Sequence, residues 1–168
     1  MRQSVGMMRV LPLLLLVAGC APRMANIPAT PIPIEVTYEA GPCYGRCPAY
    51  SVTLASFGQP GVFEGKRFTA VIGRRDVPVT FAQFDRFYGA LSEARGADAR
   101  AYAVGGPNCQ AYVTDQPTVT VTFREGSSQP WTFRFDYGCR DPQNAKLAAA
   151  LRRAPTLLPI GDLIGPRN

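Results

Sequence analysis

The sequence predicts an α+β domain, in which an antiparallel sheet of about five strands carries two helices packed on one face. Alternating apolar and polar residues dominate much of the chain between Ile34 and Tyr137, and this alternation indicates half-buried strands. The apolar spacing becomes helical near Thr80 and again after Asp141. Because these strands and helices do not alternate regularly, the order does not favour a parallel sheet of βαβ units.

The first predicted strand begins at Ile34, where apolar and polar residues alternate as far as Glu39. A second follows from Tyr50 to Ala55, and the turn sequence FGQPG separates it from a shorter strand near VFEGKR. The segments RFTAVIG and RDVPVT also look extended. Pro78 places the latter at a sheet edge or a strand end, because proline cannot donate a ladder hydrogen bond.

The first helix is predicted to begin at Thr80, which forms a capping-box signature with Gln83, and to end at Gly96. Its aromatic stripe is expected to be core rather than a ligand site, since a helix on a sheet must bury one face. The second helix starts at Asp141 and Pro142 and ends before Pro155. The apolar tail beyond it is broken by proline and glycine, so we expect it to be irregular.

Between the two predicted helices lie a long connection and a hairpin. Residues 97–117 carry no periodic pattern, and a long structureless segment in a compact domain is either functional or disordered. The cysteine within it favours order. Residues Val119 to Tyr137 then alternate on both sides of the turn REGSSQP, which predicts a hairpin.

The N-terminus predicts secretion, because Arg2 and Arg9 precede an apolar run that ends in small residues at Cys20. That run is about half the roughly 20 residues that a membrane-spanning helix needs. Val17 to Cys20 resembles the bacterial lipobox, which implies cleavage before Cys20 and acylation of its thiol; an ordinary secretory signal is the alternative. Ala21 is not an aspartate, and the resemblance to lipoproteins therefore implies the outer membrane, facing the periplasm.

The predicted organisation has three parts. Residues 1–19 form the cleaved signal peptide, residues 20–33 the lipidated cysteine and a proline-rich tether, and residues 34–168 a single α+β domain. Removing Arg2 and Arg9 lowers the charge from +6 to 16 − 12 = +4. The remaining arginines are spread along the chain, so we expect no nucleic-acid partner; an ordinary solvated surface or a weak attraction to anionic envelope surfaces explains them.

The sequence offers little catalytic chemistry. It contains no histidine, which excludes Ser-His-Asp and Cys-His arrangements. No glycine-rich phosphate loop precedes a helix. We therefore expect no catalytic residue and no cofactor.

Four cysteines remain after Cys20, and an even number in an oxidising compartment predicts two disulfides. Of the three possible pairings we favour Cys43 with Cys47, because Gly45 lets the chain double back, and Cys109 with Cys139. The chain-entropy estimate is about 2 kcal/mol for the five-residue ring and about 3.7 kcal/mol for the 31-residue ring.

Cys43 and Cys47 fit two other functions less well. A thiol-disulfide enzyme usually has CxxC at a helix N-terminus, whereas here three residues intervene and a strand follows. A zinc site is disfavoured by the absence of histidine and by the spacing, so no metal is expected.

The segments CYGRCPAYSVTL and YVTD, followed by a hairpin and a helix, resemble a family of small bacterial envelope proteins classed only as a domain of unknown function. Its members have CxGxCPxY at the start of a strand and a Thr-Asp pair before a later strand. The motif match covers Cys43 to Tyr50, with Thr114 and Asp115, and the order of elements extends it over residues 34–153. Some members carry only the first two cysteines, which supports the Cys43–Cys47 pairing. The resemblance implies no known activity.

The function expected from these observations is that of a lipid-anchored, non-catalytic binding or structural module. The expected partners are the membrane, through acylated Cys20, and an envelope protein or cell-wall component. An inhibitor or accessory subunit of an envelope enzyme is a specific form of this function, and a periplasmic thiol-disulfide enzyme is the alternative. The candidate contact residues are Tyr44, Arg46, Tyr50, Thr114 and Asp115.

Overall fold

A computed structural model of the protein describes residues 31–166. The predicted signal peptide, Cys20 and most of the tether lie outside these residues. Within them, the strands are β1 (Ile34–Ala40), β2 (Ala49–Ala55), β3 (Gly61–Arg67), β4 (Gly73–Val77), β5 (Ala101–Tyr102), β6 (Thr118–Glu125) and β7 (Trp131–Asp136). The α-helices are α1 (Phe81–Ala90), α2 (Ser92–Arg95), α3 (Ala145–Arg153) and α4 (Gly161–Ile164).

The predicted five-stranded antiparallel sheet with two helices is wrong. The described residues form one seven-stranded sheet in the order β4-β3-β2-β1-β6-β7-β5. It is mixed rather than antiparallel, because β5 pairs with β7 in parallel while every other neighbouring pair is antiparallel. Residues 31–166 also contain four α-helices, two of which are only four residues long.

The additional helices arise where tertiary packing interrupts a simpler pattern. The predicted first helix begins as expected, with the Thr80–Gln83 capping box formed. It divides at Leu91, whose backbone leaves the helical conformation while its side chain is fully buried. At the C-terminus, α4 is fixed to the β3–β4 turn by two backbone hydrogen bonds of 3.0 Å, from Ala70 to Ile164 and from Val71 to Leu163. The tail predicted to be irregular is therefore partly helical.

One face of the sheet forms the core. Val36 and Tyr38 of β1 are buried beside Phe123 of β6. The Tyr38 ring lies 6.3 Å from that of Phe87 in α1, and its hydroxyl donates to the carbonyl of Leu151 in α3 at 3.0 Å. These contacts place α1 and α3 on the same face of the sheet, as the apolar alternation requires.

The other face carries polar side chains. Thr37 and Thr53 are hydrogen-bonded at 2.9 Å across β1 and β2, and Glu39 of β1 pairs with Lys66 of β3 at 3.0 Å. The alternation predicted for β1 is thus confirmed. The last residues of β1 lie beside the first residues of β2 and β6. The candidate site is found at this end of the three strands.

Candidate functional site

The turn between β1 and β2 is closed into a small ring. A disulfide joins Cys43 to Cys47 with their α-carbons 5.6 Å apart. Gly45, at its centre, has a φ of 135°, a conformation that residues with a side chain rarely adopt. Tyr44 is 87% exposed, and Arg46 is exposed as well. The ring therefore holds one aromatic and one cationic side chain in solvent at the entrance to β2.

Two neighbouring cavities flank this ring. We call the first, of about 190 Å³, the tyrosine slot, and the second, of about 530 Å³, the ring cavity. Both are lined by Cys47, Pro48 and Ile164, so one wall of the ring separates them. The slot is smaller than the roughly 300–1,000 Å³ of most small-molecule sites and suits a single side chain, whereas the ring cavity lies within that range.

The tyrosine slot is predominantly apolar. Its walls contain Tyr38, Tyr50, Tyr137 and three prolines, Pro48, Pro117 and Pro155. The guanidinium of Arg152 lies 4.3 Å from the centre of the Tyr137 ring. Arg152 is the single charged residue in this lining. Tyr50, predicted as a contact residue, is buried in the core and contributes to the slot wall.

The ring cavity has an aromatic residue close to two cations. Its lining includes Tyr44, Arg46 and Phe68, and the guanidinium carbons of Arg46 and Arg67 lie 5.6 and 4.6 Å from the centre of the Phe68 ring. Phe68 has a φ of 55°, which is unusual for a bulky residue, and it remains 38% exposed. Backbone strain of this kind commonly occurs at functional sites.

The Thr-Asp pair lies elsewhere. Thr114 and Asp115 are exposed in the loop after β5, and neither lines the slot or the ring cavity. The Thr114 hydroxyl donates to the Asp115 carboxylate at 3.1 Å, and Asp115 has a φ of 68°. The structure thus brings Tyr44, Arg46 and Tyr50 to one region and gives the Thr-Asp pair a local turn contact instead.

The loop that carries this pair is held in place by a buried disulfide and by hydrogen bonds to a buried carboxylate. Cys109 and Cys139 form a disulfide and are only 4% and 3% exposed. The buried Asp141 carboxylate accepts hydrogen bonds from the backbone amides of Gln110 and Ala111, at 3.0–3.2 Å. Asp141 was predicted as a helix start; Pro142 does open a 3-10 turn before α3, but the Asp141 side chain binds the loop and makes no cap bond.

Sequence reasoning missed Arg67, Phe68 and Arg152 in the candidate site. The RF dipeptide lies in a segment whose pattern predicts extended backbone, and nothing in this pattern indicates that Phe68 turns back toward the ring. Arg152 is one of two adjacent arginines at the end of a helix, where a basic residue is ordinarily explained by the helix dipole. Only the fold brings these residues to the motif.

Two tyrosines that lie outside the Cys43–Cys47 ring have raised pKa values. Burial raises the pKa of Tyr102 above its ordinary value of 10.0, and the nearby Asp98 carboxylate raises it further. Burial and the charge of Asp136, which accepts a 3.3 Å hydrogen bond from the phenol, raise the pKa of Tyr112. In both cases the neutral phenol is favoured, so neither residue is prepared to act as a base at neutral pH.

Within residues 31–166, no group of three or more histidine, cysteine or acidic side chains is arranged to hold a metal ion. The four cysteines in this part of the chain are joined in two disulfides. No helix among the described residues has both the length and the apolar character needed to cross a membrane.

Residues 34–157 match the family described as a domain of unknown function (DUF6438), and the chain belongs to that family. No curated protein and no solved structure was found to match the chain.

Proposed function

We propose that the protein is a non-catalytic binding module of the cell envelope, and that it binds a partner protein through the surface around the Cys43–Cys47 ring. The observation that carries this proposal is the 87% exposure of Tyr44 on a covalently closed turn between two cavities. Leaving an aromatic side chain in water forgoes the free energy of burying it, roughly 1.5–3 kcal/mol. A fixed, exposed aromatic residue is therefore well suited to binding.

The chemistry of the surface supports a protein partner. Tyrosine and arginine are enriched at the residues that dominate protein–protein binding energies. Here Tyr44 and Arg46 lie on a short ring, whose closure lowers the conformational entropy lost on binding. The slot beside them can accept one inserted apolar side chain.

The proposed location depends on the N-terminal sequence. Acylation of Cys20 would anchor the protein to the membrane, and the resemblance to lipoproteins favours the outer membrane, facing the periplasm. A docking module on such an anchor could act as an inhibitor or accessory subunit of an envelope enzyme. An exposed aromatic on a rigid turn is suited to insertion into an enzyme's cleft.

The alternative of a thiol-disulfide enzyme uses the same two cysteines. The ring leads into β2, whereas the cysteine pair of a thiol-disulfide enzyme usually lies at the N-terminus of a helix. A reduction potential near that of glutathione, together with turnover in a thiol-exchange assay, would favour the enzyme over the binding module.

In-cell photocrosslinking tests the binding proposal. A photoreactive phenylalanine analogue replaces Tyr44 in one variant and Phe57 in a control variant. Phe57 is 51% exposed and follows the far end of β2, about 20 Å from the ring at roughly 3.3 Å per residue. We expect a discrete protein adduct from position 44 that position 57 does not give. No adduct at position 44, or the same pattern from both positions, would contradict the proposal.

A further inference from the structure

The two arginines beside Phe68 keep their hydrogen-bond donors available. Arg46 and Arg67 lie over Phe68 at 5.6 and 4.6 Å. None of the hydrogen bonds or ion pairs among the described residues involves either side chain. Two cations therefore lie beside the Phe68 ring, and no acidic side chain among the described residues neutralises them.

The charge of the ring cavity has one sign. Its lining contains Arg46 and no acidic residue, and Arg67 lies against the Phe68 ring that forms part of the wall. The adjoining tyrosine slot likewise has Arg152 and no acidic residue. A ligand that matches both cavities must therefore present negative charge beside an apolar group.

A carboxylate that lies beside an apolar group fits this arrangement of charge and apolar surface. The planar fork of an arginine matches a carboxylate in a bidentate pair. Phe68 and Tyr44 supply apolar surface next to that fork, and the slot of about 190 Å³ can hold one side chain. A segment of protein with an acidic residue near an aromatic or aliphatic residue provides both groups on one chain.

We propose that the ring cavity and the tyrosine slot bind an acidic segment of a partner protein, whose carboxylate pairs with Arg46 and Arg67 and whose neighbouring apolar side chain contacts Phe68 or enters the slot. This inference rests on the proposed binding function and specifies the chemistry of the partner.

Selection from a library of short random peptides tests the inference on the purified protein. We expect the selected peptides to contain Asp or Glu close to Phe, Tyr, Trp or Leu. A synthetic peptide with the selected consensus should bind about tenfold more weakly, or worse, when its acidic residues become Gln or Asn. Added salt should weaken the binding, since these charges are exposed.

Substitutions at single arginines test whether the consensus peptide binds at the ring cavity. Arg46→Glu and Arg67→Glu should each reduce affinity for the consensus peptide by about tenfold or more, and Arg46→Lys by less, because it keeps the charge but not the fork. Arg74→Glu, at an exposed arginine of β4, is the matched control and should leave affinity unchanged. Far-ultraviolet circular dichroism and a thiol count identify any variant that has failed to fold.

The inference is overturned if no peptides are enriched, if the enriched peptides lack acidic residues, or if Arg74→Glu weakens binding as much as Arg46→Glu. Vesicles of phosphatidylglycerol and phosphatidylcholine provide a lipid arm. Vesicle binding that requires Arg46 and is competed by the peptide would indicate a membrane surface instead. If position 44 still crosslinks a partner in the Arg46→Glu variant, the proposed function stands and this inference fails.

Discussion

Gly45 controls the closure of the Cys43–Cys47 ring through its backbone alone. A Cβ added there would meet only the Cys43 sulfur at 3.9 Å, which is an ordinary contact, but φ is 135°. Gly45→Ala should therefore lower the free energy of unfolding by about 1–2 kcal/mol. Chemical denaturation measures this change. The matched control is Gly89→Ala in α1, where nothing lies within 4 Å and alanine should stabilise by about 0.5–1 kcal/mol. Equal effects at both sites would contradict the backbone explanation.

Tyr102 makes stability depend on alkaline pH. Burial raises its pKa in the folded protein above 10.0, the ordinary value that the unfolded chain retains. Above pH 10 the unfolded chain loses this proton while the folded protein still holds it. The contribution of Tyr102 to the free energy of unfolding is therefore fully present below pH 10 and is lost as pH rises through the folded pKa. Tyr102→Phe should therefore flatten the decline in unfolding free energy above pH 10. Denaturation at several alkaline pH values tests this, and an unchanged slope would contradict it.

The accuracy of prediction differed between elements for physical reasons. The β6–β7 hairpin and the start of α1 were foreseeable, because alternation and a capping box are local signals. Strand β5 has two residues, too few to show a period. It is fixed by tertiary contacts, since Tyr102 packs between the rings of Phe133 and Phe135 at 5.7 and 5.6 Å. The Cys43–Cys47 ring could likewise be predicted from the sequence. The position of Phe68 beside it could not, because it depends on a turn with no distinctive local pattern.

The two disulfides should differ in their response to reductant. Cys109 and Cys139 are almost fully buried, whereas Cys43 and Cys47 are partly exposed. Reductant should therefore open the Cys43–Cys47 ring first. Cys43→Ser/Cys47→Ser should cost about 2 kcal/mol and Cys109→Ser/Cys139→Ser about 3.7 kcal/mol by the chain-entropy estimate. Timed alkylation with mass spectrometry gives the order, and denaturation gives the energies. Faster reduction of the buried pair would exclude accessibility as the controlling factor.

At the scale of the molecule, the candidate site and the chain's entry point are separated. The chain enters the sheet at Ile34, and Ala40 at the other end of β1 lines the tyrosine slot. Seven residues of strand span about 20 Å. Net charge predicted neither the site nor its chemistry, because the arginines are scattered in sequence. Their grouping at the ring depends on the pairing of β3 with β2, which places Arg67 opposite Ala49, two residues after the ring.

The N-terminal sequence predicts that the whole chain is attached to a membrane through acylated Cys20. Acyl chains contribute about 0.8 kcal/mol for each buried methylene, so two or three chains anchor a protein stably. Cys20→Ser should therefore move the protein from the membrane fraction to a soluble fraction, or leave it with an uncleaved N-terminus. Cell fractionation, palmitate labelling and intact mass measure this. Cys43→Ser/Cys47→Ser, which removes two other thiols, should remain acylated and membrane-bound. A wild-type protein without acyl mass, released as soluble, would instead identify residues 1–19 as an ordinary secretory signal.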